Sequence, residues 1–250
     1  MNNQMSKSNT TNKRYLLPEN YKLLGKERKL MNDTFYITYV LLLTTATVCF
    51  IEAIRTNDIK IRNILNLEVC ISVVAAYFYS LFVDKIDKGV KNKEPVDYRK
   101  INITRYTDWS ITTPIMLLVL VLALLYNTGG YLKISQYLII LVLNFAMLYS
   151  GYYGEINKKQ KLKSVGIGFV FFFLLFGYIY YEFMLGKYNF DNVLIYVAFF
   201  IFWSIYGLLY MLDEEHEEEK NTGYNILDLF SKCFVGIFFW AYFTKIFVLS

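Results

Sequence analysis

Leu227-Asp228-Leu229-Phe230-Ser231-Lys232 lies near the start of an apolar run over 224–248, and Arg105-Tyr106-Thr107-Asp108-Trp109-Ser110-Ile111-Thr112-Thr113-Pro114 lies inside another over 102–126. Each run approaches the roughly 20 residues a helix needs to cross the hydrocarbon core. Charge at that depth is costly, so every ionisable side chain there is a functional candidate. Asp228 and Lys232 are i,i+4 and share one helix face, as do Arg105, Asp108 and Thr112 at i, i+3 and i+7. Two inward-facing helices thus present two carboxylates to two cations, and pairing of opposite signs makes their burial tolerable.

Five further apolar stretches, at about 34–54, 64–83, 132–154, 164–186 and 191–212, complete a set of seven. The runs are continuous and lack the alternation of barrel strands. The expected fold is an all-α membrane protein, a bundle of seven transmembrane helices, over residues 32–250. Residues 1–31 are polar and basic with no early apolar stretch, which reads as a tail rather than a cleavable signal, and Pro18 to Leu30 could form a short interfacial helix.

Composition agrees with a lipid solvent: 56% of the 250 residues are hydrophobic and 19% aromatic, with a mean hydropathy of +0.33. The basic residues flank spans instead of striping a soluble domain, so nucleic acid is not an expected partner. Cys49, Cys70 and Cys233 all lie in apolar runs and read as small hydrophobes, not as a disulfide framework.

The central charges allow two readings. They form salt bridges that only fix helix packing, or Lys232 condenses with an aldehyde and keeps a carboxylate as counterion to the protonated imine. The residues resemble the microbial (type 1) rhodopsins, with a giant-virus sub-branch in view. The likeness rests on Arg-Tyr-x-Asp-Trp-x-x-x-Thr-Pro at Arg105 to Pro114 and on Asp-x-x-x-Lys at Asp228 and Lys232, and it spans all seven helices.

The resemblance implies all-trans retinal on Lys232, Asp108 as counterion and proton acceptor, and Asp228 as second counterion. It implies that Arg105 is a mobile guanidinium, that Thr112 hydrogen-bonds Asp108, and that Tyr79 helps to hold Asp228. The retinal pocket would be built by Trp109, Thr113, Met116, Asn144, Met147, Gly151, Trp203, Tyr206, Tyr210 and Ser231. Gly207 departs from the proline and Tyr210 from the tryptophan usual in the family. Met116 favours green absorption, and Ser231 beside Lys232 tends to move the maximum toward the blue.

Strong outward proton pumps of the family carry an acid eleven residues after the counterion, where this chain has Val119. Glu68 on the second span is the best substitute donor, and Glu52 and Glu182 are weaker ones; the other reading of each is an acid that snorkels to the interface. The tract Asp213 to Glu219 is either a solvated acidic loop or a proton-holding mouth. Three functions remain open: a light-driven proton pump first, a light-gated cation channel second, and a photosensor with a separate partner third. No enzymatic activity is expected. Membrane lipid, protons or small cations, and a homo-oligomer (trimer or pentamer) are the partners the resemblance implies.

Lys and Arg crowd the N-terminal side, at the tail, 85–100, 158–163 and Lys220. Fewer stand opposite, at Arg55, Lys60, Arg62, Lys133, Lys187 and Lys245. The positive-inside rule alone would place the N-terminus in the cytoplasm. The resemblance places it outside, and that placement is adopted because long tails translocate largely regardless of charge.

Overall fold

The computed structural model describes residues 18–92 and 96–244. Its elements are α1 (Pro18–Arg55), α2 (Ile59–Asn92), α3 (Tyr98–Thr128), α4 (Ile134–Ile156), α5 (Lys161–Phe183), α6 (Phe190–Tyr210) and α7 (Glu217–Thr244), with short 3-10 turns before α5 and α7. Among the described residues there is no strand, and seven helices are long and apolar enough to span a membrane.

Local chemistry sets the helix ends. The Asp58 carboxylate accepts from the Lys60 amide at 2.8 Å and opens α2, and Asp97 accepts from the Lys100 amide at 3.0 Å and opens α3. Gly129 closes α3 at φ 68°, a left-handed conformation that glycine adopts without a Cβ penalty. The helices overrun the apolar runs wherever polar residues can stay solvated. Thus α2 continues to Asn92, carrying an exposed Lys88–Asp84 pair at 2.7 Å.

Two boundaries differ from the sequence reading. The Pro18 to Leu30 backbone is helical, but it runs into the first span as one rod instead of forming a separate interfacial helix. Pro18 takes the first helical position, where its missing N–H costs no bond, and no later proline interrupts the ladder. Residues 1–17 of the expected tail lie outside the described residues. At the other end α7 starts at Glu217, because Glu217, Glu218 and Glu219 sit in its first turn, where negative charge favours a helix N-terminus. Only the first part of the acidic tract is therefore loop.

Helix α3 is the most enclosed of the seven, while most of α4, α5 and α6 faces outward. Large apolar side chains such as Leu138, Val142 and Val170 are exposed on those helices, as a lipid-facing surface requires. About half of the buried polar residues lie on α3 and α7, among them Arg105, Asp108, Asp228 and Lys232.

Candidate functional site

Near its middle α7 widens into a π turn, Leu229–Phe234, before resuming as Val235–Thr244. Such turns re-aim side chains and are frequent at functional sites. This one carries Lys232, 1% exposed, with its Nζ 2.7 Å from Asp108 Oδ2 and 3.5 Å from Asp228 Oδ1. The two carboxylates are surrounded differently. Asp228 receives hydrogen bonds from the Tyr206 hydroxyl at 2.5 Å and the Tyr79 hydroxyl at 2.8 Å, and Arg105 Nη1 stands 3.7 Å away. Asp108 Oδ1 is buried and receives no hydrogen bond.

Thr112 departs from expectation. Its hydroxyl donates at 3.0 Å to the Asp108 backbone carbonyl, not to the carboxylate. A mid-helix threonine can always reach the i−4 carbonyl, and that local bond outcompetes the side chain here.

Arg105, expected to be a mobile guanidinium, is fully enclosed in this structure. The rings of Phe35, Tyr79, Phe82 and Tyr224 surround it with centroids 5.0 to 5.6 Å from its Cζ. Its nitrogens donate to Asn225 Oδ1 at 2.6 Å and to Asn221 Oδ1 at 3.3 and 3.4 Å. Asn225 joins four helices: besides Arg105 it meets the Tyr79 hydroxyl at 3.1 Å and donates to Thr34 at 2.9 Å. Sequence reasoning missed both asparagines. The signal was available, since 221, 225, 228 and 232 recur at helical spacing on the face of Asp228 and Lys232.

On the other side of Lys232 a cleft of about 850 Å³, including its open mouth, runs between α3, α4, α5, α6 and α7. Trp109, Thr113, Met116, Met147, Gly151, Trp203, Tyr206, Tyr210, Ser231 and Lys232 all line it. Asn144 does not: it stands behind the wall, donating to Thr113 Oγ1 at 2.9 Å, because the buried carboxamide needs a partner. Tyr106, Leu148, Tyr224 and the α5 residues Ser164, Val165, Gly168, Phe169 and Phe172 also line it and went unpredicted, and Gly207 completes the lining. The rings of Trp109 and Tyr206 meet edge-on at 5.6 Å, and Ser231 Oγ lies 2.9 Å from the Tyr206 hydroxyl.

Glycines keep this space open. A Cβ on Gly151 would meet the Tyr106 hydroxyl at 2.7 Å, and one on Gly207 would meet Phe169 Cζ at 2.7 Å. A cleft walled by Tyr106, Trp109, Phe169, Phe172, Trp203, Tyr206 and Tyr210, with the Lys232 amine in its lining, fits a long polyene aldehyde. The donor set is an amine, two carboxylates and hydroxyls, which suits a protonated imine.

In the first third of α2, Glu68 is 2% exposed, and its Oε2 would lie 3.1 Å from a Cβ on Gly236, one turn beyond Lys232. Val119 is fully buried among apolar side chains. The weaker donor candidates are otherwise engaged, Glu52 with Arg55 at 3.7 Å and Glu182 with Gln136 at 2.6 Å.

Beyond Arg105, at the opposite end, lies a buried charge cluster that joins Glu217 of the acidic tract to Lys220 and Glu155. Lys220, 1% exposed, has its Nζ 3.5 Å from Glu155 Oε2 and 3.4 Å from Glu217 Oε1. Asn102 Nδ2 donates to the other oxygens of both acids, at 3.2 Å to Glu155 and 2.7 Å to Glu217.

Residues 30–246 match the family model described as bacteriorhodopsin-like protein. The crystal structure of viral rhodopsin OLPVRII is similar, with 48% sequence identity and a TM-score of 0.79 over 88% of this chain and 100% of that one. Acetabularia rhodopsin I shares the fold at 19% identity, TM-score 0.70, covering 88% of this chain and 96% of its own. So does a light-driven proton pump from Leptosphaeria maculans, at 16% identity, TM-score 0.67, covering 87% and 97%. No curated protein sequence matches the chain. The chain belongs to the bacteriorhodopsin-like family, the microbial rhodopsins, and within it to the viral branch. It is a retinal photoreceptor of the membrane.

Proposed function

We propose that the protein is a light-driven proton pump that holds all-trans retinal on Lys232 and carries protons from the Glu68 side to the Lys220 side. The observation that carries this reading is the 2.7 Å contact of Lys232 Nζ with Asp108 Oδ2, in a carboxylate whose second oxygen is unpartnered. Retinal, when bound, supplies light absorption and a change of shape that alters how tightly Lys232 Nζ keeps its proton.

Asp108 is the acceptor, because it has free lone pairs while Asp228 is already engaged by Tyr79, Tyr206 and Arg105. Asp228 remains the fixed counter-charge. The return proton comes from Glu68, the buried acid on the far side of Lys232, which takes the place of the missing acid at Val119. Arg105, held by rings and carboxamides, separates the central carboxylates from the Glu155–Lys220–Glu217 side and keeps the released proton from returning. With the N-terminus outside, as the family resemblance implies, the direction is outward, and the lipid-facing surfaces of α4 to α6 suit a homo-oligomer.

Light on reconstituted vesicles at zero potential should drive proton flux with no imposed gradient. Currents that reverse with an imposed cation gradient would establish the channel instead. Light-dependent binding of a second protein without ion flux would establish a sensor.

A further inference from the structure

The Lys220 cluster combines three features not required by helix packing. Two carboxylates from different helices, α4 and α7, converge on one point. The cation between them is a side chain, buried to 1% exposure and nearly equidistant from the two acids. Asn102, 2% exposed, holds the outer oxygens of both acids through Nδ2, while its Oδ1 is buried with no hydrogen-bond partner. Two carboxylates that converge on one buried point, held in place by a carboxamide N–H, are the oxygen donors that hard cations prefer.

We propose that Lys220 is a tethered cation occupying a site that would otherwise bind a free metal cation, and that it thereby restricts the Arg105 side of the transport path to protons. Lys161 Nζ is committed to the Leu212 carbonyl at 2.6 Å and the face of Tyr210, and Arg99 to the Ile156 carbonyl at 3.3 Å. On the inner side Asn221 links the cluster to Arg105, donating to the Glu217 carbonyl at 2.9 Å while accepting from the guanidinium. Lys220 thus fills the point that a free sodium or calcium ion would need, and Arg105 stands next to it along the same hydrogen-bonded chain. A proton needs no such vacancy, since it passes between hydrogen-bonded oxygens. Removing the ammonium leaves two buried carboxylates uncompensated, a costly state that a bound cation relieves.

The selectivity consequence rests on the transport reading above, whereas the binding site is tested without it. Retinal-free full-length protein in nanodiscs is melted in sodium, calcium or choline chloride at constant ionic strength. The wild type and Lys220→Arg should melt alike in all three. Lys220→Met should melt at least about 3 °C higher in calcium than in choline, as ligand linkage requires, and Lys220→Met with Glu155→Gln should lose most of that gain. A folded Lys220→Met indifferent to the cation overturns the proposal, as does a wild type equally responsive to calcium. If Lys220→Met and Lys220→Gln fold only when calcium is supplied, the proposal stands; failure of both in every salt overturns it. A cation response in vesicles that pump no protons would sink the pump reading and leave the site intact.

Discussion

The Thr112 hydroxyl donates to the backbone carbonyl of Asp108 at 3.0 Å and leaves the Asp108 carboxylate alone. One carboxylate oxygen therefore faces Lys232 while the other has no donor, an arrangement suited to receiving a proton. Thr112→Val should accordingly change little at the chromophore: a small shift of the visible band, transport retained, and a stability loss of about 1 kcal/mol from one hydrogen bond. Absorbance and thermal melting of the purified variant check this.

Met116 lines the cleft as an apolar residue eight positions after Asp108. Met116→Gln places a carboxamide there and should move the band toward the blue, with pigment yield preserved. A visible spectrum decides it.

Glu68 is the acid assigned to return the proton to Lys232. Glu68→Gln should slow recovery of the protonated pigment on the order of 100-fold, the usual scale of a lost general acid, while the initial proton transfer to Asp108 keeps its rate. Flash photolysis separates the two phases. Unchanged recovery would move the donor elsewhere.

Asn225 joins Arg105, Tyr79 and Thr34, so Asn225→Ala strips partners from three buried polar groups at once. The expected cost is about 2–3 kcal/mol, seen as a lower melting temperature. Asn225→Asp, which keeps an acceptor toward Arg105, should lose less.

Much of this site was legible because charge is conspicuous in an apolar helix. The i,i+4 pair Asp228 and Lys232, and the face shared by Arg105, Asp108 and Thr112, needed only helical periodicity to be placed together. Asn221 and Asn225 lay on the same face but were passed over, since uncharged amides stand out less among polar separators. Lys220 and Glu155 were hidden for another reason. Each sits at the edge of an apolar run beside other charges, where sequence suggests solvent, and only the lengthened α7 brings them inward together. The direction of the Thr112 bond and the withdrawal of Asn144 behind Thr113 depend on which nearby partner wins, and periodicity does not settle that. Helix ends were misjudged where charged turns extend a helix past its apolar core, as in α2 and α7.

The account stands most directly on proton transfer from Lys232 Nζ to Asp108. Light-minus-dark infrared spectra of the retinal-bound protein should show a new protonated-carboxyl stretch that moves with carboxyl-labelled aspartate. The stretch should vanish in Asp108→Asn, together with a red shift of the visible band and loss of proton transport. The same stretch persisting in Asp108→Asn, with transport intact, would contradict the account.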